Sequence, residues 1–278
     1  MNGQHDHAGD TTWLNLQTDL RLEEGALDTG SLCREKNFRR RSERAIKGKL
    51  IQLLKAIWLV FDYQPKTIAQ GIVWLGVKTM KHLLAVARAF ASLEEDRNEF
   101  LHGERLWRHS LRTGCLAGTL AKGECEGSDV IMQSCIAGFS HDIGLVILAV
   151  SLGSKRYLDV MSRAERESLS LATAELLELG ISHEIVGAEY LQRQTFPQTI
   201  VDAVAYHDNP LGLGISEFTP TIAVYAANTL DGGGWPQDSD NVPSDRAMEY
   251  LTSHGHRDPW PKWQRFAAKI QGQELGYA

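Results

Sequence analysis

Apolar residues recur at steps of three and four along most of this chain from about Ala45 onward. The spacing is clear in LIQLLKAIWLVF and in KTIAQGIVWLGVKTMKHLLAVARAF, which Pro65 and nearby polar residues separate. Each such segment predicts a helix with one apolar face, and that face must pack against other helices to be shielded from water. Because the sequence shows no convincing strand alternation and no internal repeat, the pattern predicts an all-α, multi-helix bundle.

Later segments continue the helical pattern and carry recognisable helix ends. LWRHSLRTGCLAGTLAKG predicts a helix that stops near Gly123, and VIMQSCIAGFSHDIGLVILAV predicts one helix or two. AERESLSLATAELLELG predicts an amphipathic helix that ends at Gly180. Ser182 is a candidate N-cap for the following helix, HEIVGAEYLQRQ. TPTIAVYAANTL favours a further helix, although its β-branched residues leave a strand open.

The chain divides into a polar leader, a helical body and a C-terminal extension. The leader lacks a sustained apolar period and is polar, so it predicts a disordered tail. We predict a tail over 1–44, a helical domain over 45–255 with an N-terminal part (45–100) and a core (101–235), and a helical extension over 256–278. The extension is expected to expose Trp260 and Trp263.

The composition is that of an ordinary soluble globular protein. The 278 residues are 43% hydrophobic and 23% charged, which is enough to bury a sizeable core. Four cysteines (Cys33, Cys115, Cys125 and Cys135) are scattered without a CxxC pair. This distribution predicts reduced thiols and argues against a zinc–cysteine site.

The net charge of the chain and the lengths of its apolar runs indicate which binding partners and which cellular location to expect. The net charge of −6 gives no whole-chain signal for nucleic acid. The basic run over 34–49 could contact nucleic acid or an anionic membrane surface, but a solvated leader is the favoured interpretation. The N-terminus lacks a signal-peptide pattern, and the apolar runs are shorter than the roughly 20 residues that span a bilayer. We therefore predict a cytoplasmic protein without membrane insertion.

Five ionisable residues stand out because of their positions on the predicted helices. His109 and His207 lie on the apolar faces of their helices and should point toward the core. His141 and Asp142 are adjacent at the end of an apolar helix, where neighbouring side chains can serve one site or two neighbouring ions. His183 begins a helix, next to its candidate cap.

Each of these residues has a simpler explanation when it is taken alone. A single histidine on an apolar face is more often a hydrogen-bonded core residue than a ligand, and an HD dipeptide occurs by chance. Four histidines and one aspartate on successive helices are harder to explain in that way. Imidazole and carboxylate together suit a divalent ion such as Zn, Fe, Mn or Mg, at one site or two. Such an ion can activate a bound water for attack on a phosphate ester.

Several segments resemble the successive motifs of HDOD domains. They are LWRHSLRTGCLAGTLA, CIAGFSHDIGLVILA and GISHEIVGAEYLQRQTFPQTIVDAVAYHDNP, preceded by the first-half pattern LIQLLKAIWLVFDYQPKTIAQGIVWLG. The resemblance runs from roughly Leu50 to Leu230. It implies a helical fold of the HD superfamily, related to the HD-GYP phosphodiesterases of cyclic di-GMP signalling. It also implies a bacterial regulatory module whose partners are other signalling proteins, and it leaves a homo-oligomer open.

The resemblance assigns roles to single residues. It implies metal ligands at the superfamily's first histidine, its HD pair and two later histidines, which here are His109, His141, Asp142, His183 and His207. The last ligand, an aspartate in the superfamily, falls on Asn228, whose amide would bind a metal more weakly; Asp231 follows three residues later. Leu145 stands where catalytic relatives commonly have lysine, and the HHE and GYP elements are missing from HDNPLGLG.

Two functions stay open at this point. A regulatory module that binds another signalling protein or a small ligand is favoured by Leu145, by Asn228 and by the missing GYP region. A metal-dependent phosphohydrolase acting on a nucleotide or phosphate ester is favoured by the retained histidines and by Asp142. We expect the regulatory function, assign no catalytic residue, and leave a bound divalent metal as the open question.

Overall fold

The computed structural model describes residues 32–95, 103–125, 127–210, 218–232 and 260–271. Every regular element in those ranges is a helix, which confirms the all-α prediction. The helices are, in chain order, α1 (Leu32–Val60), α2 (Ile68–Glu95), α3 (Gly103–Glu124), α4 (Ser128–Ser140), α5 (Ile143–Leu152), α6 (Ser154–Glu167), α7 (Leu171–Leu179), α8 (His183–Arg193), α9 (Gln198–Ala205), α10 (Pro220–Leu230) and α11 (Trp260–Gln271). The segment for which a strand stayed open forms α10.

Helices α4 and α5 form the centre of the fold, because the second half of α4 and most of α5 are buried. Helices α3, α9 and α10 pack around α4, and α8 packs along α5. Helices α1 and α2 pack together and cover this centre, α1 against α3 and α2 against α5. One hydrophobic core joins these helices. Side chains at the C-terminal ends of α4 and α9 and at the N-terminal end of α8 are therefore inside the molecule.

A glycine contact sets the distance between α3 and α4. A Cβ on Gly138 would lie 2.6 Å from Gly114 Cα and 2.9 Å from the Thr113 carbonyl oxygen, closer than real Cβ contacts. The two backbones can approach this closely only because neither glycine has a side chain. The approach brings His109 of α3 beside His141, which follows α4 directly.

A second glycine contact joins α5 to α8. A Cβ on Gly144 would overlap the carbonyl oxygen of His183 and lie 2.9 Å from Gly187 N. The atoms that this Cβ would meet all belong to the backbone of α8, which cannot rotate away as a side chain could. Because Gly144 follows Asp142 by two residues, this contact carries the start of α8 to the HD pair.

The His141–Asp142 pair divides the long apolar segment into two helices. Helix α4 ends at Ser140 and α5 begins at Ile143, and Asp142 has φ −96° and ψ 13°, outside the helical region. The sequence had left one helix or two open. The break places both members of the pair at an interior helix junction, where both are buried.

Helix ends were predicted with mixed success. Gly180 ends α7 with a left-handed φ of 75°, as predicted. Helix α3 continues one residue past Gly123. Ser182 occupies the N-cap position of α8, as predicted, but its hydroxyl donates to Glu184 and accepts no backbone hydrogen bond from the helix. Helix α7 does have such a cap, where Ser170 accepts from the backbone of the first turn.

The N-terminal helix begins earlier than predicted. Helix α1 already contains residues 32–44, so the tail prediction is wrong for them, and residues 1–31 lie outside the described part. The basic run over 34–49 is therefore helical. Lys49 at its end is 5% exposed, with Nζ 4.5 Å from the centre of the Trp107 ring. This cation–π contact withdraws Lys49 from the surface.

The C-terminal helix is present, but its tryptophans are not exposed. Trp260 is 6% exposed and Trp263 is 0% exposed, so that prediction is wrong. Trp263 Nε1 donates to Glu124 Oε1 at 3.1 Å, which fixes α11 against the end of α3. The domain limits predicted at residues 100, 235 and 255 all fall outside the described ranges.

One stretch, Ser128–Leu152, is long and apolar enough to cross a membrane by composition alone. Within the fold, 83% of its apolar window is buried, and the HD pair interrupts its helix. It therefore forms the core of this fold, and the cytoplasmic location stays a prediction. Cys115, Cys125 and Cys135 are free, as predicted.

Candidate metal centre

Four histidines and one aspartate meet where α3, α4, α5, α8 and α9 converge. These residues, called the histidine cluster below, are His109, His141, Asp142, His183 and His207, all singled out from the sequence. The Asp142 carboxylate lies 3.7 Å from His109 Nε2, 3.1 Å from His141 Nε2 and 3.5 Å from His207 Nε2. The His183 ring stands beside that of His207, with 5.3 Å between ring centres. The fold thus brings all five together, while metal binding stays a prediction.

The Nδ1 atom of each histidine in the cluster faces an oxygen that accepts a hydrogen bond. The pairs, at 2.7–2.8 Å, are His109 with Asp231 Oδ2, His141 with the Gly138 carbonyl, His183 with Glu175 Oε2, and His207 with the Val204 carbonyl. We therefore assign the ring hydrogen to Nδ1, which leaves a lone pair on Nε2 in the neutral ring. Orientation by such an acceptor is typical of histidines that bind metal.

Asp142 is shared by two potential ligand groups. In each group, His109–His141–Asp142 and Asp142–His183–His207, the ligand atoms lie within 4.8 Å of one another. The Oδ2 atom of Asp142 is buried and accepts no hydrogen bond. Burying an unpaired carboxylate oxygen is costly, and a cation beside it removes that cost. The residues present therefore fit a divalent metal, as one ion or two.

Carboxylates favour positive charge at His207, whereas burial lowers the pKa of His141. Burial lowers the pKa of His207, but the carboxylates of Asp208 and Asp142 outweigh burial and raise this pKa to about 10. Burial acts to raise the pKa of Asp142, but His141 and His207 hold it well below its usual value. Asp142 is therefore ionised, and the field at His207 attracts a cation.

Asp231 orients His109, a role that was not predicted for it. Its Oδ2 accepts from His109 Nδ1 at 2.8 Å, while Arg112 donates to Oδ1 at 2.7 Å and to Oδ2 at 3.0 Å. Burial acts to raise the pKa of Asp231, but these hydrogen bonds hold it below its usual value. Both oxygens of Asp231 are engaged by these donors, so this carboxylate supports a ligand instead of serving as one.

Glu175 supports His183 in the same way. One of its oxygens accepts from the backbone and the ring of His183, both at 2.7 Å, and the other accepts from the Tyr157 hydroxyl. Burial, aided by Glu175, raises the pKa of Tyr157 well above its usual value, so the hydroxyl keeps its hydrogen. Glu175 lies on a helix predicted only as amphipathic. Its position one helical turn before Leu179, which is also buried, was the pattern in the sequence that could have identified Glu175 as an interior residue.

Asn228 remains a candidate for the weakened last ligand. It is 4% exposed, and its Nδ2 donates to Asp208 Oδ1 at 3.3 Å. Its Oδ1 is buried and accepts no hydrogen bond. A cation could use this oxygen, although an amide binds a metal less strongly than a carboxylate does.

The cluster is closed to solvent at most of its members. His141, Asp142, His183 and His207 are between 0% and 3% exposed, and the His109 side chain is 13% exposed. Leu145, in the lysine position of catalytic relatives, is 4% exposed. A buried leucine at this position provides no positive charge.

The sequence matches the family model of the HDOD domain over residues 48–210. The chain belongs to the HDOD family. The matched range contains all five residues of the histidine cluster, while Asn228 and Asp231 lie beyond its end. The resemblance found in the sequence motifs is thereby confirmed.

Solved structures share this HDOD fold. An HDOD domain protein of unknown function from Geobacter sulfurreducens has a TM-score of 0.59 at 19% identity, covering 97% of this chain and 99% of that one. A "Putative phosphohydrolase" from Shewanella amazonensis has a TM-score of 0.57 at 14% identity, covering 99% and 93%. A "Putative signal transduction protein" from Marinobacter aquaeolei has a TM-score of 0.51 at 14% identity, covering 96% and 65%. At these identities the similarity shows the fold alone.

A curated relative comes from Treponema pallidum, where it is described as an uncharacterized protein. The two sequences are 23% identical over 185 residues, which is 66% of this chain and 34% of that protein. The HDOD chain therefore spans about a third of the length of this relative.

Proposed function

We propose that this HDOD protein is a bacterial signalling module that holds a divalent metal in the histidine cluster and acts by binding other signalling proteins, without hydrolysing a substrate. The observation that carries the proposal is the closure of the cluster. Four of its five members are almost fully buried, and a phosphate ester needs open access to a metal-bound water. The apolar Leu145 and the amide of Asn228 also favour a site that does not hydrolyse substrate.

The chemistry of the cluster limits which ion it would hold. Four imidazoles and one carboxylate suit Zn, Fe or Mn, and Mg is less well matched because it prefers oxygen ligands. Asp142 would contribute to either ligand group. A bound ion would supply the positive charge that the buried carboxylates attract, and it would tie together the helices that meet there.

Metal analysis and a hydrolysis assay on the same preparation test this function. We expect protein purified without chelator to carry stoichiometric metal, and Asp142→Asn to lose it. We expect no hydrolysis of bis(p-nitrophenyl) phosphate with added Mn or Ni above the rate of that variant. Hydrolysis that disappears in Asp142→Asn would show that the protein is an enzyme, and absence of metal from every preparation would remove the metal from the proposal.

A metal-dependent phosphohydrolase is the second candidate, and one observation favours it. The cluster contains two ligand groups that share Asp142, and such a pair of sites can stabilise both the attacking and the leaving oxygen of a phosphate ester. The hydrolysis assay separates the two candidates, because both expect metal but only the second expects turnover that depends on Asp142.

A further inference from the structure

A cleft of about 670 Å³ lies between α2 and the C-terminal end of α8, away from the histidine cluster. Its basic side chains are Lys78, Lys81 and Arg88 from α2 and Arg193 from α8, and no Asp or Glu is among the described residues that line it. Such a lining attracts anions and concentrates them locally.

The positive charge of the cleft rests on three of these four residues. Arg193 is engaged by Glu189, with Nη2 2.8 Å from Oε1. Lys78, Lys81 and Arg88 are exposed and form no ion pair within the described ranges. The C-terminal end of α8 opposes them with about half a negative charge. Three full positive charges exceed that amount, so the cleft stays cationic.

The walls of the cleft are held together by contacts between α2 and α8. The Tyr190 hydroxyl donates to the Ala85 carbonyl at 3.3 Å. His82 Nε2 lies 3.3 Å from the Thr195 carbonyl, and the His82 ring stacks on Phe196 with 4.2 Å between ring centres. Burial lowers the pKa of His82, and its Nε2 donates to the Thr195 carbonyl. The basic side chains therefore extend from a fixed frame.

The spacing of the cations indicates the kind of ligand. Lys78, Lys81 and Arg88 lie on one face of α2, and ten residues of helix span about 15 Å. An extended polyanion can contact all three cations along that row, whereas one small anion neutralises only part of their charge. We propose that this cleft binds a small phosphate-bearing polyanion, of the size of a nucleoside triphosphate or an inorganic polyphosphate. Arginine and lysine are both suited to phosphate oxygens, and the open cleft leaves the ligand's remaining groups in solvent.

Calorimetry with inorganic tripolyphosphate on the full chain tests the proposal. We expect binding that weakens as salt is added, and a loss of affinity of at least about tenfold in Lys81→Glu, because hydrogen bonds to charged groups are lost and the local charge is reversed. The matched control is Lys155→Glu, the same change at an exposed lysine of α6 outside the cleft, which we expect to bind as the parent does. Circular dichroism on both variants checks that the helices are retained.

Three results would overturn the proposal. They are no binding of tripolyphosphate at millimolar concentration, equal affinity in Lys81→Glu and Lys155→Glu, and equal or tighter binding of a short poly-glutamate peptide. The last would assign the cleft to an acidic protein segment. Because the test does not use the histidine cluster, its outcome is independent of the metal analysis.

Discussion

His109 Nε2 lies 3.1 Å from His141 Nε2, although each ring is hydrogen-bonded through its other nitrogen, to Asp231 and to the Gly138 carbonyl. Two nitrogen lone pairs at that distance repel each other unless a proton or a metal ion accompanies them. Asp142, 3.1 Å from His141 Nε2, supplies a negative charge at the same place. The arrangement is built to hold positive charge.

Replacing the shared carboxylate should remove metal from both ligand groups. In Asp142→Asn, we expect the metal content per chain, measured by inductively coupled plasma mass spectrometry, to fall by at least about tenfold, because an amide lacks the charge that a divalent ion requires. Asp159→Asn makes the same chemical change at an exposed position of α6 and should keep the parental metal content. Full metal content in Asp142→Asn would contradict the assignment of Asp142 as a ligand.

Asp231 should affect metal affinity without binding the metal itself. In Asp231→Asn, the charge that orients His109 and engages Arg112 is lost, and outer partners of this kind typically contribute about 10–100-fold in affinity. Competition with a chromogenic chelator measures the change. Asp62→Asn removes a carboxylate that contacts Lys122 outside the cluster, and its affinity should match the parent. If Asp231→Asn bound metal as tightly as Asp62→Asn, the orienting role would be wrong.

The contact between α5 and α8 should not tolerate a single added methyl group. In Gly144→Ala, the new Cβ meets the backbone of His183, and we expect a loss of about 1–3 kcal/mol in the free energy of unfolding, as for other overpacked sites. Gly48→Ala is the control, since a Cβ at Gly48 in α1 has nothing within 4 Å. It should gain up to about 1 kcal/mol from helix propensity. Urea unfolding followed by circular dichroism measures both, and equal stability of the two variants would contradict the packing argument.

His82 should make the protein less stable in mild acid. Burial holds the pKa of folded His82 below its usual 6.5, so the unfolded chain binds a proton more readily than the folded protein does. The stabilisation from neutral His82 is complete above pH 6.5 and is lost as the pH falls below that value toward the folded pKa. His82→Phe keeps a ring against Phe196 and cannot be protonated, so its free energy of unfolding should fall less than the parent's below pH 6.5. Identical pH dependence in the two proteins would exclude this contribution.

The sequence predicted the cluster better than its surroundings. His109 and His207 were identified because a titratable residue on an apolar stripe is visible in the residue pattern. His141, Asp142 and His183 were identified because they lie at the ends of predicted helices. Asp231 is 122 positions from His109, and no local pattern marks it as that ring's partner. The same holds for Glu175. The residues of α7 alone assign it to a polar face, and its partner His183 lies on the next helix.

The two clear errors have physical reasons. Trp260 and Trp263 were expected at the surface, yet with Ala267 and Ile270 they form the buried face of α11, and the three- and four-residue spacing of that face was present in the sequence. The polar segment 32–44 was assigned to a tail because it lacks an apolar period. Helix α1 nonetheless includes it, as a continuation of the apolar half that packs on α2 and α3.

Helix α8 begins at His183 in the histidine cluster and ends at Arg193 in the cationic cleft. Both sites are thus attached to one rigid rod about 15 Å long. If filling the cleft displaces this rod, the affinity of the cluster for metal must change, and thermodynamic reciprocity requires metal to change the affinity of the cleft by the same factor. Helix α8, which packs along α5, would then connect two binding equilibria.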